Sequence, residues 1–409
     1  MKSFIFIILL VLICIRPFIS EYAFLTIGAW YISALIFFSS LYLVLVKKPT
    51  FFPLRLNLWP ALFTVIILFS MLPARYTPWS LFELFVFIPN ILIFYITSKL
   101  ESDQQRQLLV TIFFTATIIC IYAIYQYFIG FQHTLEYLSH VEHNSHLEEL
   151  LKNKRVFATF PSPNIFASYV VMMLFLGIGL LSSSQKIEKI IFGIGVIIMG
   201  LSLFYSKSIG GLLAFGCTFL LFIRYFPFPL NFKKVNIFWL SFGTISIAGI
   251  LILACRIFLW GHLLQLMDLH NPNNSMIQRF YYWKASVNMT RNSLFTGIGW
   301  RNFGALYELY KTPLANISHY SHNVFLQILA EMGLLGLGSF LLIVVVFLKN
   351  GLVVINNNIG PRSLKIGLFC AGCAFLIHNT IDLSFYFGQV AFFWWIIVGL
   401  FSNYRVENS

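Results

Sequence analysis

Charge is scarce in this 409-residue chain, at 10% of residues, and acid is scarcer than base, with 14 Asp and Glu against 27 Lys and Arg. A chain that is 59% hydrophobic and holds 46 Phe has more apolar surface than one soluble core can take. Its long apolar runs must therefore face lipid or one another. No detachable soluble domain and no internal repeat stand out. The first run has Lys2 ahead of apolar residues, as a secretory signal does, but it lacks a small-x-small cleavage site and carries Arg16-Pro17 instead. It reads as a retained helix.

Cysteine is also sparse. All six (Cys14, Cys120, Cys217, Cys255, Cys370, Cys373) sit inside apolar runs, where they act as small apolar residues rather than disulfides or zinc ligands. The redox spacing of Cys370-x-x-Cys373 is read as packing. No Asp-x-Asp occurs in the outward loops, which disfavours a divalent-metal mechanism. His140, His143 and His146 recur at intervals that drift around a helix, so they read as a solvated amphipathic face, not a metal site. No basic helix, zinc spacing or aromatic-basic RNA motif lies in a soluble segment, which excludes nucleic acid as partner.

What the chain does have is apolar length. Crossing the hydrocarbon takes about 20 mainly apolar residues, and about twelve runs qualify, the last four near 235–258, 321–348, 363–383 and 386–402. The fold class expected is all-α, a polytopic membrane helical bundle forming one integral domain over 1–409. With the N-terminus inside, Lys47, Lys48, Arg55, Lys99, Arg106, Lys186 and Lys189 fall in cytoplasmic turns, as the positive-inside rule requires. Both termini are then cytoplasmic. Two larger loops face outward: 131–160, where Leu135 to Leu151 has the spacing of an interfacial helix, and 259–321 between the ninth and tenth spans.

The second loop holds five cations, Arg279, Lys284, Arg291, Arg301 and Lys311, against two acids, Asp268 and Glu308. Orientation by cytoplasmic charge does not explain cations on the outer side, whereas an anionic ligand does. Guanidinium groups suit phosphate because their planar donors pair with two oxygens; attraction to lipid headgroups is the plainer reading of any one of them. Asn273-Asn274-Ser275 offers a cap for a helix over Met276 to Asn288, Gly297-Ile298-Gly299 marks a turn, and a short helix is expected from Phe303 to Tyr310.

His322-Asn323 begins the tenth span at the water interface, where a neutral imidazole can act as general base or merely cap the helix; His319 competes for the same role. Asn323, Gln327 and Glu331 recur every four residues as a polar stripe that must point into the bundle, while Gly333, Gly336 and Gly338 suit close helix packing. His378 and Asp382, four apart on the eleventh run, are expected to share one helix face with Asn379 nearby. Arg155 and Lys207 are further outer cations, each able to contact phosphate or to anchor at the interface.

The order of Arg155 to Asn164, Ser206-Lys207-Ser208-Ile209-Gly210-Gly211, Gln278-Arg279-Phe280-Tyr281-Tyr282-Trp283, Gly297-Ile298-Gly299 and His322-Asn323-Val324-Phe325-Leu326 with Glu331-Met332-Gly333 resembles the O-antigen ligase and polymerase superfamily of bacterial inner membranes. The resemblance covers roughly residues 155 to 400. It implies an inverting, metal-independent glycosyltransferase without cofactor. That enzyme takes a glycan from undecaprenyl diphosphate at the periplasmic face and gives it to a sugar hydroxyl of the lipid A core. By position, His322 is the implied base and Arg279 the diphosphate ligand, with Arg155 and Lys207 beside it. His319, Asn323, His378 and Asp382 are in support. Many members have Ser-Arg where this chain has Ser206-Lys207, which keeps a charge but gives up paired donors. A polysaccharide polymerase of the same superfamily is the first alternative. A transporter or flippase for a lipid-linked glycan is the second.

Overall fold

In the computed structural model the described residues are 2–20, 25–45, 58–138, 151, 153–226, 274–357 and 361–402. Every regular element among them is helical: α1 (Lys2–Ile15), α2 (Leu25–Leu45), α3 (Leu58–Ser70), α4 (Thr77–Thr97), α5 (Ser102–Tyr125), α6 (Phe131–Leu138), α7 (Pro163–Ser183), α8 (Lys186–Tyr205), α9 (Ile209–Tyr225), α10 (Ser275–Asn292), α11 (Phe303–Leu306), α12 (Val324–Asn356), α13 (Arg362–His378) and α14 (Gly388–Ser402). Six stretches are long and apolar enough to cross a membrane, namely Thr26–Leu45, Thr77–Thr97, Ser102–Glu136, Pro163–Ser183, Lys186–Tyr205 and Val324–Asn356; α3, α9 and α14 are shorter apolar helices. The all-α membrane architecture expected from composition is thus present, whereas a count of about twelve spans is not reached among the described residues. The run 235–258, most of the helix expected over 135–151, and His140, His143 and His146 lie outside them.

Two helices occupy the middle of the bundle. α7 and α14 are buried along nearly their whole length, including Trp394 and Trp395, whereas α8 presents Ile187, Ile190, Ile194, Ile197 and Leu201 outward at helical spacing, as a lipid-facing helix does. α13 runs along α7, and their backbones meet at Gly179 and Gly367, where a Cβ on Gly179 would lie 3.2 Å from the Gly367 Cα. Small residues at a crossing let membrane helices approach closely.

α12 is not one straight rod. Gly333 takes φ 63° and ψ −162° and breaks it, which would orphan buried backbone groups. The segment 294–299 repairs the break. Ile298 N and Gly299 N donate to the carbonyls of Ala330 and Glu331 at 3.0 and 2.9 Å, while Leu334 N and Leu335 N donate to Leu294 O and Phe295 O at 2.9 and 3.3 Å. A Cβ at Gly333 would strike the Phe295 backbone, and one at Gly338 would meet nothing within 4 Å. Of the three glycines expected to serve helix packing, Gly333 is instead a docking point for a loop and Gly338 faces open space.

This docking pulls the loop after α10 onto the bundle. Arg301, buried with φ 63°, donates through Nη2 to the carboxylate of Glu83 on α4 at 2.6 Å and to Tyr386 O at 2.6 Å. Its guanidinium also lies 4.7 Å from the centroid of the Tyr386 ring. Asn302 reinforces the joint, donating to Ser80 Oγ at 2.8 Å and accepting from Tyr76 N at 2.9 Å. Arg301 thus has a structural task that its place in the sequence did not reveal.

Candidate functional site

Helix ends meet where the loops gather: the C-terminal ends of α8 and α13 and the N-terminal ends of α7, α9, α10 and α12. Each start is capped by its own sequence. Ser162 Oγ accepts from Ile165 N at 3.3 Å, Ser208 Oγ from Gly211 N at 3.2 Å, Asn274 Oδ1 from Met276 N at 2.8 Å and Asn323 Oδ1 from Leu326 N at 3.0 Å. The caps expected from Asn273-Asn274-Ser275 and at Asn323 are therefore in place.

Two adjoining cavities open at this end. One, of about 170 Å³, is lined by Ser275, Gln278, Arg279, Tyr282, Asn316 and His322. The other, of about 250 Å³, mixes Arg155, Asn164 and Asp382 with apolar Ile209, Leu213, Met276 and Ile381. Ser275 and Arg279 line both. Arg279 thus stands at the junction of a polar chamber and a more apolar one.

His322 carries its imidazole on a backbone at φ 54°. A left-handed backbone on a residue with a Cβ is uncommon, and its cost, about 1 kcal/mol or more, is met only where the surroundings over-determine it. Its Nδ1 lies 3.8 Å from Asp382 Oδ1, an ion-pair distance rather than a hydrogen bond, and is shut off from solvent, while about a third of the side chain stays exposed (36%). The accessible edge of the ring is thus the one bearing Nε2, on the cavity side. Tyr282 flanks the ring with centroids 5.7 Å apart.

Asp382 is buried and reaches this position because α13 stops early. Asn379 N and Nδ2 both donate to Phe375 O, at 3.0 and 2.8 Å, and its Oδ1 accepts from Phe385 N at 2.9 Å, turning the chain away from the helix axis. His378 and Asp382 therefore do not share a helical face, contrary to their four-residue spacing. Asp382 faces His322 across the junction and accepts from Leu383 N at 2.8 Å. Burial by itself would raise its pKa, but His322, His378 and Arg279 outweigh it and hold the carboxyl down at about 2.

Because that pKa is depressed on folding, the stability it brings is fully present above the unfolded value of about 3.9 and is lost as pH falls toward 2. Asp382→Asn should therefore show a stability deficit that shrinks as pH falls below about 4, read from heat inactivation in detergent. A deficit that does not shrink between about pH 5 and 2.5 would remove this contribution.

The remaining expected residues are placed as follows. Arg279 Nη1 reaches only Met276 Sδ, at 3.9 Å, and its buried Nε has no hydrogen-bond partner among the described residues. No carboxylate among them lies within ion-pair distance of it, so its charge is open to the cavities. Arg155 lines the second cavity while donating to Ser206 O at 3.3 Å and Asn164 Oδ1 at 3.1 Å. Lys207, at φ 49°, lines neither cavity and donates to Asn153 O at 2.8 Å. Burial and the charges of Arg155 and Lys154 lower its pKa, which marks this corner as electropositive.

Asn323 Nδ2 donates to Thr380 O at 2.8 Å, and Val324 N to Asn379 O at 3.0 Å, so this pair of bonds ties the start of α12 to the turn that carries Asp382. His378 is buried against Gly210, and neither ring nitrogen has a hydrogen-bond partner among the described residues. His319 is exposed, packs on Gly304 and lines neither cavity. Lys284 and Arg291 are exposed on α10, and Lys311 pairs with Glu308 at 2.8 Å.

Sequence reasoning missed Gln278, Asn316 and Tyr282 as lining residues. Gln278 Oε1 accepts from Asn316 N at 2.7 Å and Nε2 donates to Leu314 O at 3.2 Å, holding the loop end over the cavity. A lone acid, Glu83, in an otherwise apolar run was the available signal for the Arg301 anchor, since a charge inside a span must find a partner.

Residues 194–341 match the family model described as O-antigen ligase. The matched segment holds Lys207, Arg279 and His322, while Arg155 and Asp382 fall outside it. No curated protein matches the chain.

Proposed function

We propose that this chain, a member of the O-antigen ligase superfamily, moves a glycan from undecaprenyl diphosphate to a sugar hydroxyl of the lipid A core at the periplasmic face of the inner membrane. The observation that carries the reading is that His322, backed by buried Asp382, and Arg279, without a carboxylate partner among the described residues, line the same cavity. In the reaction the acceptor oxygen bonds to the anomeric carbon as the bond to the diphosphate breaks. The acceptor proton passes to His322 Nε2, and the diphosphate leaves as an anion facing Arg279. That leaving group needs charge stabilisation more than a proton, whereas the incoming hydroxyl needs a base. One displacement of this kind inverts the anomeric centre. Asp382 favours the tautomer with its proton on Nδ1, which leaves the Nε2 lone pair for the acceptor. Its 3.8 Å separation from His322 suits a base that tightens when substrate binds.

The test is transfer by purified protein from defined undecaprenyl diphosphate-glycan to a lipid A core acceptor. A covalent product should form, with full activity in EDTA. Movement of the donor across the bilayer without bond formation would instead identify a transporter, and loss in EDTA restored by magnesium would overturn the metal-free route. Arg279→Ala should lower kcat/KM by about 100-fold, the scale of one lost charge-stabilising donor, with Arg279→Lys recovering part of it. Unchanged kinetics in Arg279→Ala would remove its diphosphate role. Lipopolysaccharide banding in a deletion strain separates ligase from polymerase: bare core with accumulated lipid-linked polymer supports ligation, and core bearing a single repeat supports polymerisation.

A further inference from the structure

The stripe Gln327 and Glu331 does not face the cavity, and its hydrogen bonds lead back to the backbone on which His322 sits. Gln327 is fully buried; its Oε1 accepts from Ser321 N at 2.7 Å and its Nε2 donates to Glu331 Oε1 at 2.9 Å. Glu331, also buried, accepts from Phe303 N at 3.2 Å and from Tyr386 Oη at 3.0 Å. Tyr386 in turn is the residue whose carbonyl and ring hold Arg301, the partner of Glu83. On the other side of the strained residue, Ser321 Oγ donates to Asn323 O at 2.8 Å and accepts from Asn323 N at 3.3 Å. Both neighbours of His322 are thus fixed, one to the buried network and the pair to each other.

We propose that Ser321, Gln327 and Glu331 are positioning residues that hold His322 in its left-handed backbone and so keep Nε2 at the cavity edge. A histidine released from these bonds relaxes toward the ordinary φ range, which swings its Cβ and withdraws Nδ1 from Asp382. These hydrogen bonds of Ser321, Gln327 and Glu331 run to one another, Asn323, Phe303 and Tyr386 rather than to Arg279 or Tyr282, so their loss is expected to disturb the base and spare the anion site. This proposal rests on the reading of His322 as the base.

Ser321→Ala removes the hydroxyl that bridges Asn323 with little change in volume, and Gln327→Met removes both bonds of the amide at similar volume. Each should lower kcat about tenfold, since small displacements of a positioned group carry such losses, with donor KM within twofold. Binding alone does not report the base, so the deciding readout is a double-mutant cycle with His322→Ala. A positioning role requires that Ser321→Ala has no further effect once the imidazole is gone, whereas a role in general folding gives the same tenfold loss in both backgrounds.

The swap Gln327→Glu with Glu331→Gln keeps one carboxylate and one amide and should recover part of the activity lost in Gln327→Glu alone. Additive losses, or wild-type kcat in Ser321→Ala and Gln327→Met, overturn the proposal and leave the base assignment standing. Full activity in His322→Ala itself overturns the base assignment, independently of these variants.

Discussion

His322→Ala is expected to lower turnover by about 10² to 10⁴, the range that a positioned general base contributes, while donor binding stays near wild type because Arg279, Gln278 and Asn316 are untouched. The expectation rests on chemistry as well as position. His322 lines the cavity beside Arg279, and His319, its local competitor in sequence, lines neither cavity. Removal of strain is a competing cause for any effect of the alanine, because the left-handed backbone at φ 54° is then occupied by a smaller residue. His322→Asn separates the two. Asparagine accepts the left-handed region well but supplies no base, so it should be as inactive as alanine. Measurement of single-turnover transfer alongside donor binding decides the matter; an active asparagine variant would leave the histidine a structural part.

Glu83→Ala is expected to destabilise the protein by about 3 to 5 kcal/mol, the scale for breaking a buried ion pair by removing one partner. The loss comes from Arg301, which stays buried without that carboxylate while still donating to the Tyr386 carbonyl at 2.6 Å. Because Arg301, Asn302 and the docked segment 294–299 hold the loop to α4 and to the break in α12, the damage should reach the site as well as the core. Replacing both partners, Glu83→Gln with Arg301→Met, should cost less than Glu83→Ala alone, since the buried guanidinium is removed together with its carboxylate. The check is the heating midpoint for loss of the monodisperse gel-filtration peak in detergent. A double variant worse than the single one would mean that the pair contributes net attraction here, and an unchanged midpoint in Glu83→Ala would remove the anchor altogether.

Local rules carried much of the site into view. Caps are read from one or two residues, so the starts of α10 and α12 were legible in Asn274 and Asn323, and the turn at Gly297 and Gly299 was legible because both take positive φ, at 68° and 106°. The inward polar stripe was legible too, since lipid forbids the alternative for Gln327 and Glu331. Asp382 is different. Its four-residue interval from His378 pointed to a shared helix face, yet a side-chain amide at Asn379 ends the helix one residue after His378. Periodicity describes a helix only for as long as the helix continues, and hydrogen bonds to a later segment, here Phe385, decide where it stops.

The sequence by itself determined that this chain is a helical membrane protein, that the loop after its ninth apolar run carries more cations than acids, and that His322 stands at a helix start. These follow from composition and short-range periodicity, which act within a few residues. Only the tertiary structure decided which cation does what. Arg301 is held by Glu83 over two hundred residues away in sequence, Arg279 lies open between two cavities, and Lys207 turns to a neighbouring carbonyl. Charge draws Arg301 and Lys207 toward oppositely polarised partners, but which partner each meets, and that Arg279 meets none among the described residues, is set by packing between helices distant in the chain, which no local pattern encodes.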